Sequence, residues 1–466
     1  MHREFEHIAR NWTSRQTRCI WAISSTCYFT AEYTALRAVS FSGSARYHCR
    51  AVYKSAGRNM SLPLDQAHRT DSPYRWVILA MVTLSGFIVM GFPTTGLSAM
   101  FSEVAGALGL DLVQIGVIWG VGSVMGIFTS VLGGSFIDYF GTRRTLVLLC
   151  LATGISGALR GFAVDFWSLF ITSFLFGMVQ PILPMNFVKL NREWFASRQL
   201  GFASGVMSAG FATGLMLGSR LSATVLSPLL GGWRNVLIFL GVCAIVMAAL
   251  WYFLHPPNRT RRPTQPLDLR GMLRNLRTVA RFRELWVIAL SVFGVLGLMR
   301  GLVGYVPTYL REIGWGAVEA DTAITVFFFF SLVSVVPLSH LSDRLGNRRL
   351  VMAFATTMMS IGTALMFLVG DSYWGVLLAM ALAGCCFDSF MALKGASITE
   401  VEGLDLALMG SALGFGGIWQ NLGTSITPPL GNALSTVALN VPFLLWAASG
   451  VFATLTLLSY RKRKTR

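Results

Sequence analysis

Long apolar stretches separated by short polar ones occupy nearly all of the chain beyond residue 75. Twelve of them approach the roughly 20 residues a helix needs to cross a bilayer. They cover 76–100, 115–136, 145–162, 166–188, 201–221, 235–254, 285–306, 323–341, 350–369, 374–393, 408–426 and 441–458. Six precede the polar stretch 255–284 and six follow it. That stretch holds Pro256, Pro257, Pro263 and Pro266 and separates two halves. Its second part, LRGMLRNLRTVARFRE, has the pattern of a basic amphipathic helix lying on a membrane surface. The pattern predicts an all-α membrane protein of twelve transmembrane helices in two pseudo-symmetric six-helix halves, 74–254 and 285–460. A lead at 60–73, the linker at 255–284 and a basic tail at 461–466 complete the expected organisation.

The two halves repeat one another. GSFIDYFGTRR begins at Gly134 and SHLSDRLGNRR at Ser339. Asp138, Gly141, Arg143 and Arg144 fall on Asp343, Gly346, Arg348 and Arg349 at a constant offset of 205 residues. The same offset carries Lys189 onto Lys394, Gly205 onto Gly410 and Gly218 onto Gly423. A duplicated set of apolar segments is the usual building plan of secondary transporters.

Composition agrees and then sharpens the picture. The chain has 466 residues, is 54% hydrophobic and only 13% charged. A soluble domain carries about twice that charged fraction. The net charge of +17 would suggest nucleic acid in a soluble protein, but its location points elsewhere. With the linker placed inside, that side carries Arg143, Arg144, Lys189, Arg192, Arg198, the linker arginines, Arg344, Arg348, Arg349, Lys394 and the basic tail. The other side has only Arg160, Arg220, Arg234 and Arg311. This is the positive-inside pattern, with both termini cytoplasmic in a cell membrane, plus attraction to anionic head groups. Nucleic acid is therefore not an expected partner; the bilayer is. The seven cysteines show no metal-ligand spacing, and Cys385–Cys386, inside an apolar run, reads as packing. No metal and no other cofactor is expected. Residues 1–59 do not fit the scheme: they are basic, and their apolar stretch is interrupted by Glu32 and Arg37. The expectation is a chain that starts naturally at Met60, with a targeting peptide as the alternative.

The paired motif resembles the loop signature of the major facilitator superfamily: glycine, three residues, an acid, a base, one residue, glycine, then bases. Trp194-Phe195 resembles the loop before that family's fifth helix, and Gly232, Trp233 and Arg234 the entry to its sixth. Gln180-Pro181, followed by Trp194-Phe195, also resembles a short stretch of the feline leukaemia virus receptor-related transporters of haem and choline. Tyr139 stands where the family has a base, and Ser339 replaces the leading glycine of the second copy, which keeps Arg344. The resemblance implies that Gly134, Asp138, Gly141, Arg143 and Arg144, with Asp343, Arg344, Gly346, Arg348 and Arg349, latch the halves on the cytoplasmic side. An aspartate there can accept charge-assisted bonds from a helix N-terminus and nearby arginines.

Glycines spaced about four apart in the fifth and eleventh segments signal close helix packing. The antiporter signature of a Gly-Pro pair is missing from the fifth. Charges inside apolar segments carry most of the substrate information, because a charge in the bilayer core must be satisfied. Arg300 in the seventh segment and Asp388 in the tenth stand out. The resemblance implies that helices one, four, seven and ten line a central cavity. Arg300 lies about 24 Å from the cytoplasmic end and Asp388 about 22 Å from the outer end, at 1.5 Å per residue. That depth difference argues against a direct pair. Lys394 is expected to snorkel to the interface, as its mate Lys189 sits at the cytoplasmic end of its segment. Thr95, Gln180, Asn186, Tyr305 and Gln420 are the neutral polar candidates.

The expected function is transmembrane movement of a small solute by alternating access, as a monomer and without catalysis. Arg300 favours an organic anion carried by symport or antiport, with a proton as the coupling ion on Asp388. Two alternatives stay open: a proton-coupled exporter of neutral or cationic compounds, and a non-transporting sensor on the same fold. A polytopic enzyme would need a cluster of catalytic side chains at one depth. Only Asp388 and the Cys385–Cys386 pair lie near each other.

Overall fold

The computed structural model describes residues 72–459, except 197–198, 256–268, 371 and 406–407. The extension at 1–59, most of the lead and the tail at 461–466 lie outside the described residues. Twelve long helices follow one another: α1 (Tyr74–Ala99), α2 (Leu112–Phe140), α3 (Thr142–Phe162), α4 (Phe166–Trp194), α5 (Leu200–Leu230) and α6 (Trp233–Leu254), then α7 (Arg283–Glu312), α8 (Ala317–Leu345), α9 (Arg348–Leu368), α10 (Tyr373–Ile398), α11 (Met409–Ala433) and α12 (Pro442–Ser459). There is no strand among the described residues. The linker contributes a helix at Leu269–Val279, where the amphipathic pattern lies. It packs against α11.

Local signals set the ends. Asp111 and Gln114 form a reciprocal cap that starts α2, and Asn347 and Ser372 cap α9 and α10 through their side-chain oxygens. Asp165 caps α4, and the hydrogen bonds from Ser168 hold its carboxyl below the usual carboxylate range. Gly141 and Gly346, the turn glycines of the repeated motif, end α2 and α8 at φ of 78° and 61°. A side chain would be strained at either.

Eleven of the twelve helices are long and apolar enough to span a bilayer, and α11 alone falls short. Its composition has a physical reason. Asn421 donates to Ser130 of α2 at 3.0 Å, Thr427 to the Gly297 carbonyl of α7 at 2.7 Å, and Asn432 to the Leu112 carbonyl at 2.8 Å. The polar side chains of α11 meet protein, so it can be polar where the others cannot.

Glycine allows the closest approaches. A Cβ on Gly218 of α5 would fall 2.6 Å from the Thr95 hydroxyl of α1, and one on Gly126 of α2 2.6 Å from Cγ of Asn421. One end of the bundle carries the linker and the repeated arginine pairs, and is termed the basic end; the other is the far end. Bonds crossing between the first six helices and the last six begin at the far end, at Leu112, and reach Ser130. That is about 27 Å along α2. Gly201 and Gly205 of α5, Gly395 of α10 and Gly410 of α11 have nothing within 4 Å of where a Cβ would stand.

Two helices are interrupted. α4 is regular over Phe166–Val179 and again over Ile182–Trp194, with the break at Gln180 and Pro181. α10 is regular over Tyr373–Gly384 and Phe387–Thr399, with the break at Cys385 and Cys386. The breaks are mates at the same offset of 205 residues.

Candidate functional site

Matching interruptions in two repeated halves mark the depth at which transporters place their ligand sites. The side chains around α1, α4, α7, α10 and α11 at that depth are therefore the relevant ones.

Arg300 projects from α7 onto α2. Its guanidinium carbon lies 3.2 Å from the centroid of the Trp119 ring, and the Trp119 indole donates to the Arg300 carbonyl at 2.8 Å. Trp119 in turn leans on Gly304, where a Cβ would fall 2.6 Å from the indole Cδ1. The result is a clasp between the two halves, built from a planar cation and the best ring for it. No carboxylate pairs with Arg300 among the described residues, and its Nε has no partner.

Asp388 sits in the first turn of the second piece of α10. Ser331 of α8 donates to its carboxylate at 2.7 Å and accepts from its amide at 3.0 Å. Ser334 and Ser389 extend this hydroxyl-lined patch at 3.4 Å from one another. Arg300 and Asp388 are not joined by an ion pair, as the depth estimate anticipated. Gln180, at the α4 break, donates to the Thr94 hydroxyl of α1 at 2.9 Å. Gln420 accepts from Lys394 at 3.1 Å.

Three of the polar candidates hold the scaffold together. Thr95 donates to the Leu215 carbonyl at 2.6 Å and fastens α1 to α5. Asn186 is fully buried and donates to the Thr142 carbonyl at 3.2 Å, bracing the turn after α2. Tyr305 is 1% exposed and donates to the Leu439 carbonyl, inside an aromatic cluster with Tyr309, Phe443 and Trp446. The Thr95 and Tyr305 hydroxyls are thus taken up within the scaffold, whereas the Asn186 Oδ1 is buried with no partner among the described residues. Lys394 differs from the expectation of snorkelling: its ammonium is bound to the side chain of α11.

The side chains of Asp138 and Asp343 lie outside the described residues, and Gly134 falls within α2. The described bases of the two motifs brace helices of their own half. Arg143 donates to the Tyr252 carbonyl and covers its ring at 5.4 Å. Arg348 pairs with Glu400 at 2.9 Å and Arg349 with Glu284 at 3.2 Å. Arg144 and Arg344 are exposed.

The sequence did not single out the charged seam at the far end. Arg311 of α7 pairs with Asp321 of α8 at 2.6 Å, and the aspartate is fully buried. Arg220 of α5 crosses the seam to the Val318 carbonyl and the Thr322 hydroxyl. Glu103, on a short helix at Phe101–Leu108, accepts from Ser227 at 2.6 Å. Asp321 lies just before the apolar stretch that marks α8, so hydropathy places it in a loop. Trp119 gave no signal at all, since a tryptophan in an apolar run is ordinary. Among the described residues no cluster of His, Cys, Asp and Glu can hold a metal ion.

A family model described as Major Facilitator Superfamily matches residues 83–320 and 310–466. The chain is 26% identical over 307 residues to the probable nitrate/nitrite antiporter NarK1 of Thermus thermophilus, covering 64% of this chain and 68% of that protein. It is 24% identical over 313 residues to the probable sulfoacetate transporter SauU of Cupriavidus necator, covering 63% and 71%. Among solved structures, the nucleoside transporter NupG superposes with a TM-score of 0.69 at 14% identity, over 83% of this chain and 99% of that one. This last likeness concerns the fold.

Proposed function

The chain belongs to the major facilitator superfamily, as a multi-pass membrane transporter of small solutes, and on that premise we propose that its solute is a small organic anion. The observation that carries this reading is Arg300, a cation inside the bundle with no carboxylate partner among the described residues. A cation inside a membrane bundle without a carboxylate partner is costly, and an anionic ligand supplies the missing countercharge. The curated relatives, similar over about two thirds of this chain, are named for nitrate, nitrite and sulfoacetate. All three solutes are anions.

The basic end faces the cytoplasm of a cell membrane, in keeping with the positive-inside rule. The two halves rock about a ligand held between them, and a monomer suffices for this. Asp388 is the coupling acid: its carboxylate sits at an α-helical break and, among the described residues, bonds only the Ser331 hydroxyl, so it can take up and release a proton as the halves move. The repeated motif, with Asp138 and Asp343, steadies the cytoplasmic side.

The test is uptake into vesicles holding the purified protein. The panel comprises nitrate, nitrite, sulfoacetate and small mono- and dicarboxylates, set beside a nucleoside and a cationic dye. Saturable uptake or exchange of an anion is expected. Movement of the dye or nucleoside without any anion overturns the assignment in favour of a neutral or cationic solute.

A further inference from the structure

Lys394 is a second cation inside the last six helices with no carboxylate partner among the described residues. It lies on the piece of α10 running Phe387–Thr399. Its ammonium donates to the Gln420 side chain at 3.1 Å, and this is its one bond among the described residues. Two of its three N–H groups remain, as does the amide nitrogen of Gln420. The pair therefore offers donors on both sides, a full positive charge, and a single acceptor that is already used.

Room lies beside it. Gly416 is one turn from Gln420 on the same face of α11, and the nearest atom to a Cβ there is Ile398 Cδ1 at 3.9 Å. Ile398 is itself one turn from Lys394 on α10. Gly395, next to Lys394, has nothing within 4 Å. Both Lys394 and Gln420 are half-buried, so solvent reaches them. Residue counts put Lys394 about 8 Å from the basic end of α10 and Arg300 about 26 Å from the basic end of α7. The two cations are staged along the axis and cannot grip one small anion together.

We infer that Lys394 and Gln420 form an anion-receiving station on the basic side of the bundle, where a carboxylate or nitrate docks before it reaches Arg300 or after it leaves. The ammonium supplies the charge and the Gln420 amide a second donor, a set that matches two oxygens of a planar anion. The inference rests on the anion reading above, and its test separates the two.

A thiol placed beside the station reports its field. Gly416→Cys fits without displacing a neighbour. Its rate of modification by an anionic and by a cationic methanethiosulfonate is measured with Lys394, with Lys394→Gln and with Lys394→Arg, each against the same chain lacking the new thiol. The anionic-to-cationic rate ratio is expected to fall about tenfold in Lys394→Gln and to recover in Lys394→Arg, as local potential sets the concentration of a charged reagent. Nitrate and small carboxylates should protect the thiol when Lys394 is present. A ratio that Lys394→Gln leaves unchanged overturns the station. A ratio that falls while no anion protects shows a charge at which nothing docks and overturns the station, while the uptake panel decides the anion reading separately. Should Lys394→Gln fail to insert, Gln420→Leu is read instead: protection should weaken while the ratio survives, and unaltered protection overturns the donor role of the amide.

Discussion

Helices α4 and α10 are repeat mates that break at the same position, one with a proline and the other without. Gln180-Pro181 interrupts α4, and Cys385-Cys386 interrupts α10. Proline removes an amide donor and forces a bend, so its effect on α4 is local. The break in α10 has no proline: Gly384 directly precedes it, and the Ser331 hydroxyl of α8 accepts from the amide of Asp388 at 3.0 Å. The same depth is thus interrupted in both halves by different means. The chemistry around the two breaks differs as sharply as the backbone agrees. The α10 side has Asp388, with Arg300 on α7, while their mates are Leu183 and Thr95; Lys394 alone keeps a cationic mate, Lys189. Duplication has kept the frame in both halves, while the charges Arg300 and Asp388 of the second have no charged mate in the first.

The largest expected effect tests that division of labour. Arg300→Ala should lower anion binding and uptake about a hundredfold, the scale of a lost charge-assisted bond in a desolvated site. Arg300→Lys should recover little, since an ammonium lacks the paired, coplanar donors with which a guanidinium meets a planar anion. Equilibrium binding beside initial uptake rates decides it, and normal binding by Arg300→Ala ends the assignment of charge recognition to the second half.

Next in size is Asp388→Asn. Exchange of solute across the vesicle should continue, while proton-driven accumulation falls about tenfold or more, because a neutral amide cannot carry a proton. Counterflow measured alongside accumulation separates the two. Full accumulation in Asp388→Asn would move coupling away from α10.

The third test asks whether the halves, unlike in chemistry, are alike in packing. Gly218 and Gly423 are mates, and a Cβ on either would press on backbone, 2.9 Å from Phe92 Cα and 3.1 Å from Phe293 Cα. Alanine at either should cost about 1–3 kcal/mol, the usual penalty of overpacking. Gly205 and Gly410 are also mates and have open space, so alanine there should stay within about 0.5 kcal/mol. Thermal unfolding of the four variants checks the pairing, and a mate pair that splits breaks the symmetry.

The smallest effect is expected at Pro181. If the fold imposes the break, Pro181→Ala should keep transport and shift stability by less than about 1 kcal/mol. A large loss of transport would return the break in α4 to its proline.

Spans, linker and duplication were legible because hydropathy and a constant offset are properties of the chain read in one dimension. α11 was found as an apolar stretch, although its polar face is affordable only because α2 and α7 cover it. The α10 break was not legible, since two cysteines carry no signal for ending a helix. Lys394 was misjudged by analogy with Lys189: sequence position gave its depth but not the neighbour it meets. The polarity of Thr95, Asn186 and Tyr305 is visible in sequence, whereas the hydrogen bonds they make to distant carbonyls are not.

The clasp between Arg300 and Trp119 sets up a competition. An anion that engages the Arg300 guanidinium must share or displace the indole face, so it binds this clasped conformer less well than one in which the halves have parted. A contact worth about 1–2 kcal/mol gives a roughly five- to thirtyfold difference in affinity between the two states. By linkage, the solute must then shift the population away from the clasped state by the same factor. On the anion reading, the solute would thereby contribute the free energy that opens the clasp.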